Sequence, residues 1–543
     1  MTISYFRSAG LATILTVVAT ALIAIGGVFL SRLTLGEFGL IGGLSPVYYA
    51  GIVLLTLAAL IVWTNRNPCD MLGLLQVTVL LVALWMVPLV VGAYPLSGPS
   101  ELDFQSFSGA ITAMGHLNPT GDFWQQNWPG MWILGSVFEQ MLSIQHSVPA
   151  AVFIEKYLPI FWQILYSLSI FPLISYVLSD NRKWGVIWLF LLGNWVGLSK
   201  FDIQSLAALY LFLIFSTILS SKSSKIWYLV IILTAALVVD HPYTGILAIV
   251  TLLVLGKGRK NNFVVFSILV FLAWQLFGAI PYWSSQLASK IAQLFNYSSL
   301  FQEAIVVRVT STSFAHSLNT RLGLLFGGLL LFIVMLSYLK CRNDRFFNAE
   351  TVRMMILVVI IVGISGAFIG PAFGFEFIER IYFLLLPILA IITMIGFGLR
   401  SKIILSLVIA LLLVGIPTNI FNMYGPEAGN YTSQSFIAGN VFFGGFTTHG
   451  YYSEFITTFT KNPANYTGID LNQACYCDMS QPPIGRVYPY FISMNSLDSG
   501  YYVYMLGNDN TFTNITQNLM TDARVSLVYS NPQFLFFASL VTG

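Results

Sequence analysis

The chain has 543 residues, 57% of them hydrophobic and 9% charged, with a mean hydropathy of +0.78. Soluble domains carry roughly 25% charged residues, and 25 Lys+Arg with 22 Asp+Glu cannot clothe a water-soluble fold of this length. The composition therefore excludes a soluble enzyme, a disordered chain, a collagen and a coiled coil, and points to a polytopic integral membrane protein. A dispersed net charge of +3 argues against a nucleic-acid partner. Four cysteines are too few for a disulfide scaffold, and Cys475 and Cys477 sit too close in sequence for an easy mutual bridge.

A membrane helix needs about 20 mostly apolar residues. About thirteen such runs occur, centred near residues 20, 55, 82, 168, 190, 211, 233, 248, 272, 331, 361, 389 and 410. The runs around Asn194 and between Asp240 and Gly256 are short or broken. The first, from about Gly10 to Leu30, follows Arg7, is long for a signal peptide and reads as a membrane anchor. Every second connection is short and basic: Asn65–Asn67, Arg182-Lys183, Lys222–Lys225, Lys257–Lys260, Lys340–Arg345 and Arg400–Lys402. About fifteen Lys/Arg fall on that side with only four acids, Asp70, Asp180, Asp344 and Glu350, so the N-terminus is expected to be cytoplasmic in a multi-pass plasma-membrane protein.

Two long external loops, 93–150 and 281–321, interrupt a bundle expected over 1–421. Residues 422–543 are expected to form a small extracytoplasmic mixed α/β domain, with strand-like runs at Tyr501–Met505 and Val525–Tyr529. Asn-x-Ser/Thr acceptors at Asn296, Asn430, Asn465 and Asn514 all fall on the external side. The expected fold is thus all-α and polytopic, followed by that external domain.

Acids gather in the first external loop, which reads Ser-Glu101-Leu-Asp103-Phe, then Gly115-His116, Gly-Asp122-Phe-Trp and Asn127-Trp128-Pro129-Gly130. Glu101 and Asp103 alternate by two, so an extended segment places both carboxylates on one face. Such a pair can share a divalent ion or supply a general base; it can also be two solvated loop acids. This pattern, leading from a transmembrane helix through an acid pair to Trp-Pro-Gly, resembles the first external loop of the GT-C superfamily of membrane glycosyltransferases. Here it follows the third helix, whereas the family usually has it after the first.

Three further segments extend the resemblance. Lys200-Phe201-Asp202-Ile203-Gln204 is similar to the Phe-x-x-Gln segment re-entering a helix in archaeal members, and Asp240-His241-Pro242-Tyr243-Thr244 to their His-Pro-x-Thr turn. Glu379-Arg380-Ile381-Tyr382-Phe383 looks like their Glu-Arg-x-x-Phe helix start, and Ser526–Asn531 like the tyrosine strand that closes these chains. The resemblance implies a polyprenyl-phosphate-linked sugar donor, a glycan, lipid or protein acceptor, and surrounding membrane lipids. It makes Asp103 the catalytic base with Glu101 as partner, and Arg380 the cation at the lipid phosphate. It groups His116, Asp122, Lys200, Asp202, Gln204, His241 and Glu379 as substrate-binding residues.

Glu-x-Asp serves metal-dependent and metal-free members alike, so Mg2+ or Mn2+ on Glu101 and Asp103 stays one of two readings. Each residue also has a plainer role open to it. His241 before Pro242 can cap a helix, His116 can order a loop by a hydrogen bond, Arg380 can snorkel, and Lys200 with Asp202 can form a surface pair. Competing classes are a transporter, a non-catalytic surface-glycan assembly protein, and a ligase or polymerase of lipid-linked glycans using Arg308 and His316. No internal repeat supports the transporter, and no Trp-Trp-Asp-Tyr-Gly signature supports oligosaccharide transfer.

Overall fold

A computed structural model describes residues 2–28, 41, 44–65, 69–91, 108–109, 111–112, 114–117, 127–141, 148–195, 202–220, 226–255, 261–294, 296–297, 314–341, 350–373, 375–398 and 401–424. In the tail it describes 451–453, 491–495, 517, 520–521, 525–531 and 534–539. The helices are α1 Thr2–Val28, α2 Pro46–Thr64, α3 Asp70–Val91, α4 Gly130–Met141, α5 Val148–Val177, α6 Arg182–Gly193, α7 Ile203–Ser220, α8 Ile226–Asp240, α9 Pro242–Leu255, α10 Asn261–Ala273, α11 Ile280–Gln293, α12 Phe314–Cys341, α13 Glu350–Phe373, α14 Phe375–Phe397 and α15 Lys402–Tyr424. Every run picked out by hydropathy is a helix, but not every one spans alone. Among the described residues eight helices are long and apolar enough to cross a membrane, or nine if the bent pair α10–α11 counts as one span. The apolar parts of α3, α8 and α9 are shorter (Asp70–Met86, Ile226–Asp240, Pro242–Leu253), and α6 has only 12 residues. Eight of the thirteen expected runs therefore stand as single spans among the described residues.

The brevity of α6 explains how the bundle closes. Twelve residues rise about 18 Å, too little for a bilayer, and Trp184–Gly193 are buried without exception. A helix end inside the bundle must have its carbonyls satisfied by protein. Asn419 of α15 does this, its Nδ2 donating to the carbonyls of Leu191, Leu192 and Asn194 at 3.0, 3.4 and 3.3 Å. The Tyr382 hydroxyl donates to Gly193 at 3.2 Å. Around this end Tyr166, Phe190, Phe212 and Phe383 meet with ring centroids 5.5–6.4 Å apart, joining α5, α6, α7 and α14. Helix α14 is the axis: 89% of its apolar window is buried, against 28% for α12 and α13.

Lipid tails are as apolar as leucine, so membrane helices associate through close packing rather than hydrophobic burial. The α1–α2 hairpin shows this. A Cβ on Gly26 would lie 2.5 Å from the Tyr48 backbone nitrogen, and one on Gly51 2.7 Å from Ile23 Cγ1. At one end of the bundle the basic connections interlock. Asn181 accepts from the Cys69 amide at 2.8 Å and donates to the Asn65 carbonyl at 3.1 Å, while Lys183 pairs with Asp70 at 2.8 Å. Arg182 pairs with Asp180 and reaches the Met394 and Ile395 carbonyls ending α14, and Lys340 donates to Ser401.

In the tail, strands β1 Tyr451–Ser453, β2 Phe491–Asn495, β3 Val525–Asn531 and β4 Phe534–Ser539 form a sheet of order β1-β2-β4-β3. β1 runs parallel to β2 and the other pairs are antiparallel, with an irregularity between Leu527 and Tyr529. The expected strand at Val525–Tyr529 is present within β3, and Phe534–Ser539 is the strand that pairs with it. Tyr501–Met505 lies outside the described residues.

Candidate functional site: a crevice between α7, the α8–α9 turn and α14

Three segments singled out in the sequence converge on one narrow crevice. Its walls are Gln204 from the first turn of α7, His241, Tyr243, Thr244 and Leu247 from the α8–α9 turn and α9, and Phe377, Arg380, Ile381 and Leu384 from α14. The free space inside is about 10 Å³, room for roughly one water.

His241 is placed by helix-capping chemistry. Pro242 fixes the first helical φ of α9 and has no N–H to leave unsatisfied. The Thr244 amide, one of the open donors of the first turn, donates to His241 Nδ1 at 3.2 Å, and Thr244 Oγ1 lies 2.9 Å from the same nitrogen. The plainer role foreseen for His241, a cap, is therefore real, and it coexists with lining the crevice. An amide donor requires an unprotonated Nδ1, which puts the ring proton on Nε2. Burial, and then the Arg380 charge, hold the imidazole far below its ordinary value, at about 3, so the ring is neutral at physiological pH. Its ring also meets Tyr243 edge-on at 5.5 Å, and Tyr243 meets Phe377 at 5.5 Å.

Asp240, immediately before His241, was not singled out as a site residue by sequence reasoning. It is fully buried, and neither carboxylate oxygen has a hydrogen bond of good geometry among the described residues, although the Met131 backbone amide faces it. Asp202, just before α7 and also buried, is near enough for the two carboxylates to interact. The signal was present: an acid that closes an apolar run is costly at membrane depth and marks function by default. Gly130, opening α4, packs so closely that an added Cβ would stand 2.6 Å from Asp240 Oδ1. Asn127 next to it accepts from Trp274 Nε1 at 3.1 Å, and its Oδ1 accepts from the Tyr282 amide at 3.4 Å.

The remaining expected residues divide in three. Glu379 is half-buried on α14 beside Arg380 but does not line the crevice. His116 is exposed and does not line it either; its Nδ1 lies 2.9 Å from the Met114 carbonyl, next to Gly115 at φ +73°, which is the loop-ordering geometry. Glu101, Asp103, Asp122, Lys200 and Arg308 lie outside the described residues, so the Mg2+ or Mn2+ reading of Glu101 and Asp103 has no geometry here. Among the described residues no three His, Cys, Asp or Glu come together as a metal would need. Of the four glycosylation acceptors, Asn296 is described and is exposed just beyond α11; Asn430, Asn465 and Asn514 lie outside.

No protein-family model matches the chain, and no curated protein matches it. Among solved structures it is similar to the crystal structure of the Archaeoglobus fulgidus oligosaccharyltransferase in complex with Zn and sulfate, at 15% identity and a TM-score of 0.40. That match covers 73% of this chain and 56% of that one, so the chain spans little more than half the length of the archaeal enzyme.

Proposed function

We propose that the protein is a GT-C-like membrane glycosyltransferase. It moves a sugar from a polyprenyl-phosphate donor to an acceptor hydroxyl on the extracytoplasmic face, with inversion at the anomeric carbon. The observation that carries this reading is the meeting of Gln204, His241 and Arg380, from segments far apart in sequence, at one crevice. A guanidinium there suits a lipid phosphate, whose oxygens it can hold in a bidentate fork. Neutral His241 adds an Nε2–H donor without adding charge. Gly130, which follows Glu101 and Asp103 in the chain, packs on Asp240.

In this reading Asp103, ionised at neutral pH, takes the proton of the acceptor hydroxyl as that oxygen attacks the anomeric carbon. The bond from that carbon to the phosphate oxygen breaks. Polyprenyl phosphate leaves with the electron pair, and Arg380 stabilises the charge that develops. Glu101 orients Asp103; a divalent ion held by the pair would add positive charge at the phosphate. In this reading the basic connections face the cytoplasm, by the bias of Lys and Arg toward that side, with the N-terminus there and the tail outside.

The test is donor binding to protein in lipid, with Arg380→Gln beside wild type. Loss of a charged hydrogen bond costs about 1.5–3 kcal/mol, so affinity should fall roughly 10- to 100-fold. Equal affinity in the two proteins would remove the phosphate role from Arg380.

A further inference from the structure

Helix α11 turns away from α10 by 98° at a five-residue π-helical elbow, Trp274–Gly278. If α10 crosses the bilayer, α11 lies close to the membrane plane. The elbow is built and held. The ring of Trp274 folds over Gly278 so closely that an added Cβ would be 2.8 Å from it, and Trp283 Nε1 donates to Gln275 at 2.7 Å.

Around α11 the faces separate cleanly. Ile280, Leu287 and Ile291, at helical spacings of seven and four, form one stripe, and each is about half exposed. Ser285, Ser289 and Gln293 occupy the opposite side. The helix has no buried residue, and its single charge is turned inward, Lys290 Nζ donating to the Ala372 carbonyl near the end of α13 at 3.1 Å. Ser284, which shares the apolar side, satisfies its hydroxyl on the Pro281 carbonyl at 2.8 Å. The apolar stripe continues into the elbow, where Phe277 is 84% exposed.

We propose that α11 is a membrane-surface helix, seated in the headgroup–acyl boundary of the extracytoplasmic leaflet through Ile280, Leu287 and Ile291. One flank rests on α13 and its serine face meets water. Bilayer lipid is the occupant the geometry selects. The stripe is contiguous with the apolar helix α10, runs at right angles to it and is itself free of charge, with a polar face opposite, as in an interfacial helix. Tyr282 in the first turn of α11 hydrogen-bonds Tyr243, so this seat also sets the depth of the crevice near the headgroups. That consequence rests on the proposed function only for its meaning, not for its geometry.

The test uses the unmodified protein in liposomes, exposed to an alkyl diazirine dissolved in the bilayer and, separately, to hydroxyl radicals generated in the water. Leu287 and Ile291 should take up the bilayer probe at the level of Leu269 and Leu272, which are exposed on α10, while Ser285 and Ser289 do not. Bilayer labelling of the stripe no higher than that of Ser289, or hydroxyl-radical oxidation of Leu287 and Ile291 as heavy as that of exposed residues in water, would overturn the proposal. So would protection of the stripe from both reagents, which would mean that protein covers it. Neither readout depends on sugar transfer.

Discussion

Replacing Gly130 by alanine would put a methyl carbon 2.6 Å from Asp240 Oδ1, 2.8 Å from its Cβ and 2.9 Å from its Cα. A carboxylate oxygen can rotate aside, but the Asp240 Cα belongs to the end of α8 and cannot. Ordinary contact begins at 3.4 Å, so α4 and α8 must part by roughly 0.5 Å. Strain of this kind in a packed interior costs about 1–3 kcal/mol. No backbone conformation contributes to that cost, because Gly115, not Gly130, is the positive-φ glycine among the described residues. Gly328→Ala, inside α12 with nothing within 4 Å of the new Cβ, is the matched control and should gain up to about 1 kcal/mol from helix propensity. Apparent unfolding midpoints, measured in one detergent at one scan rate because unfolding of large proteins is commonly irreversible, should order as Gly328→Ala at or above wild type and Gly130→Ala clearly below. Donor affinity should drop in Gly130→Ala as well, since His241 follows Asp240. A Gly130→Ala protein that melts with wild type would show that α4 and Asp240 are not in contact.

Asn419→Leu keeps the side-chain volume but removes the donor shared by three carbonyls at the end of α6, and should destabilise by about 1–3 kcal/mol; an unchanged melting midpoint would mean that another group caps that end. His241 carries a pH signature. Its folded pKa, about 3, lies below the ordinary 6.5, so the unfolded chain binds the extra proton. The contribution of the neutral ring is complete above about pH 6.5 and is lost as pH falls toward 3. The stability difference between wild type and His241→Asn should therefore shrink from pH 7.5 to pH 5. A difference that stays constant would contradict the neutral, buried ring.

The helices were legible because a bilayer demands apolar runs, and each run found is a helix. Which of them span was not legible, because span length depends on where a helix is capped. The carbonyl cap that Asn419 places on α6 joins residues 228 positions apart in the sequence. The right angle before α11 was also hidden, since apolar character continues through Phe277 and Ile280 and only the exposed stripe reveals the turn. In the crevice, Gln204, His241 and Arg380 were readable from short motifs. Asp240 was passed over as a site residue, though it stands within one of those motifs, because its importance comes from burial against Gly130 and not from residue type alone.

The central claim is sugar transfer by this crevice and its acid loop. The most direct measurement is turnover by purified protein in liposomes with a panel of radiolabelled polyprenyl-phosphate sugars, comparing wild type with Asp103→Asn, with and without a chelator. The account predicts transfer by wild type and its loss in Asp103→Asn with donor binding retained; the chelator arm decides whether a divalent ion takes part. Transfer that proceeds equally in Asp103→Asn, or failure of wild type to bind any donor in the panel, would contradict it.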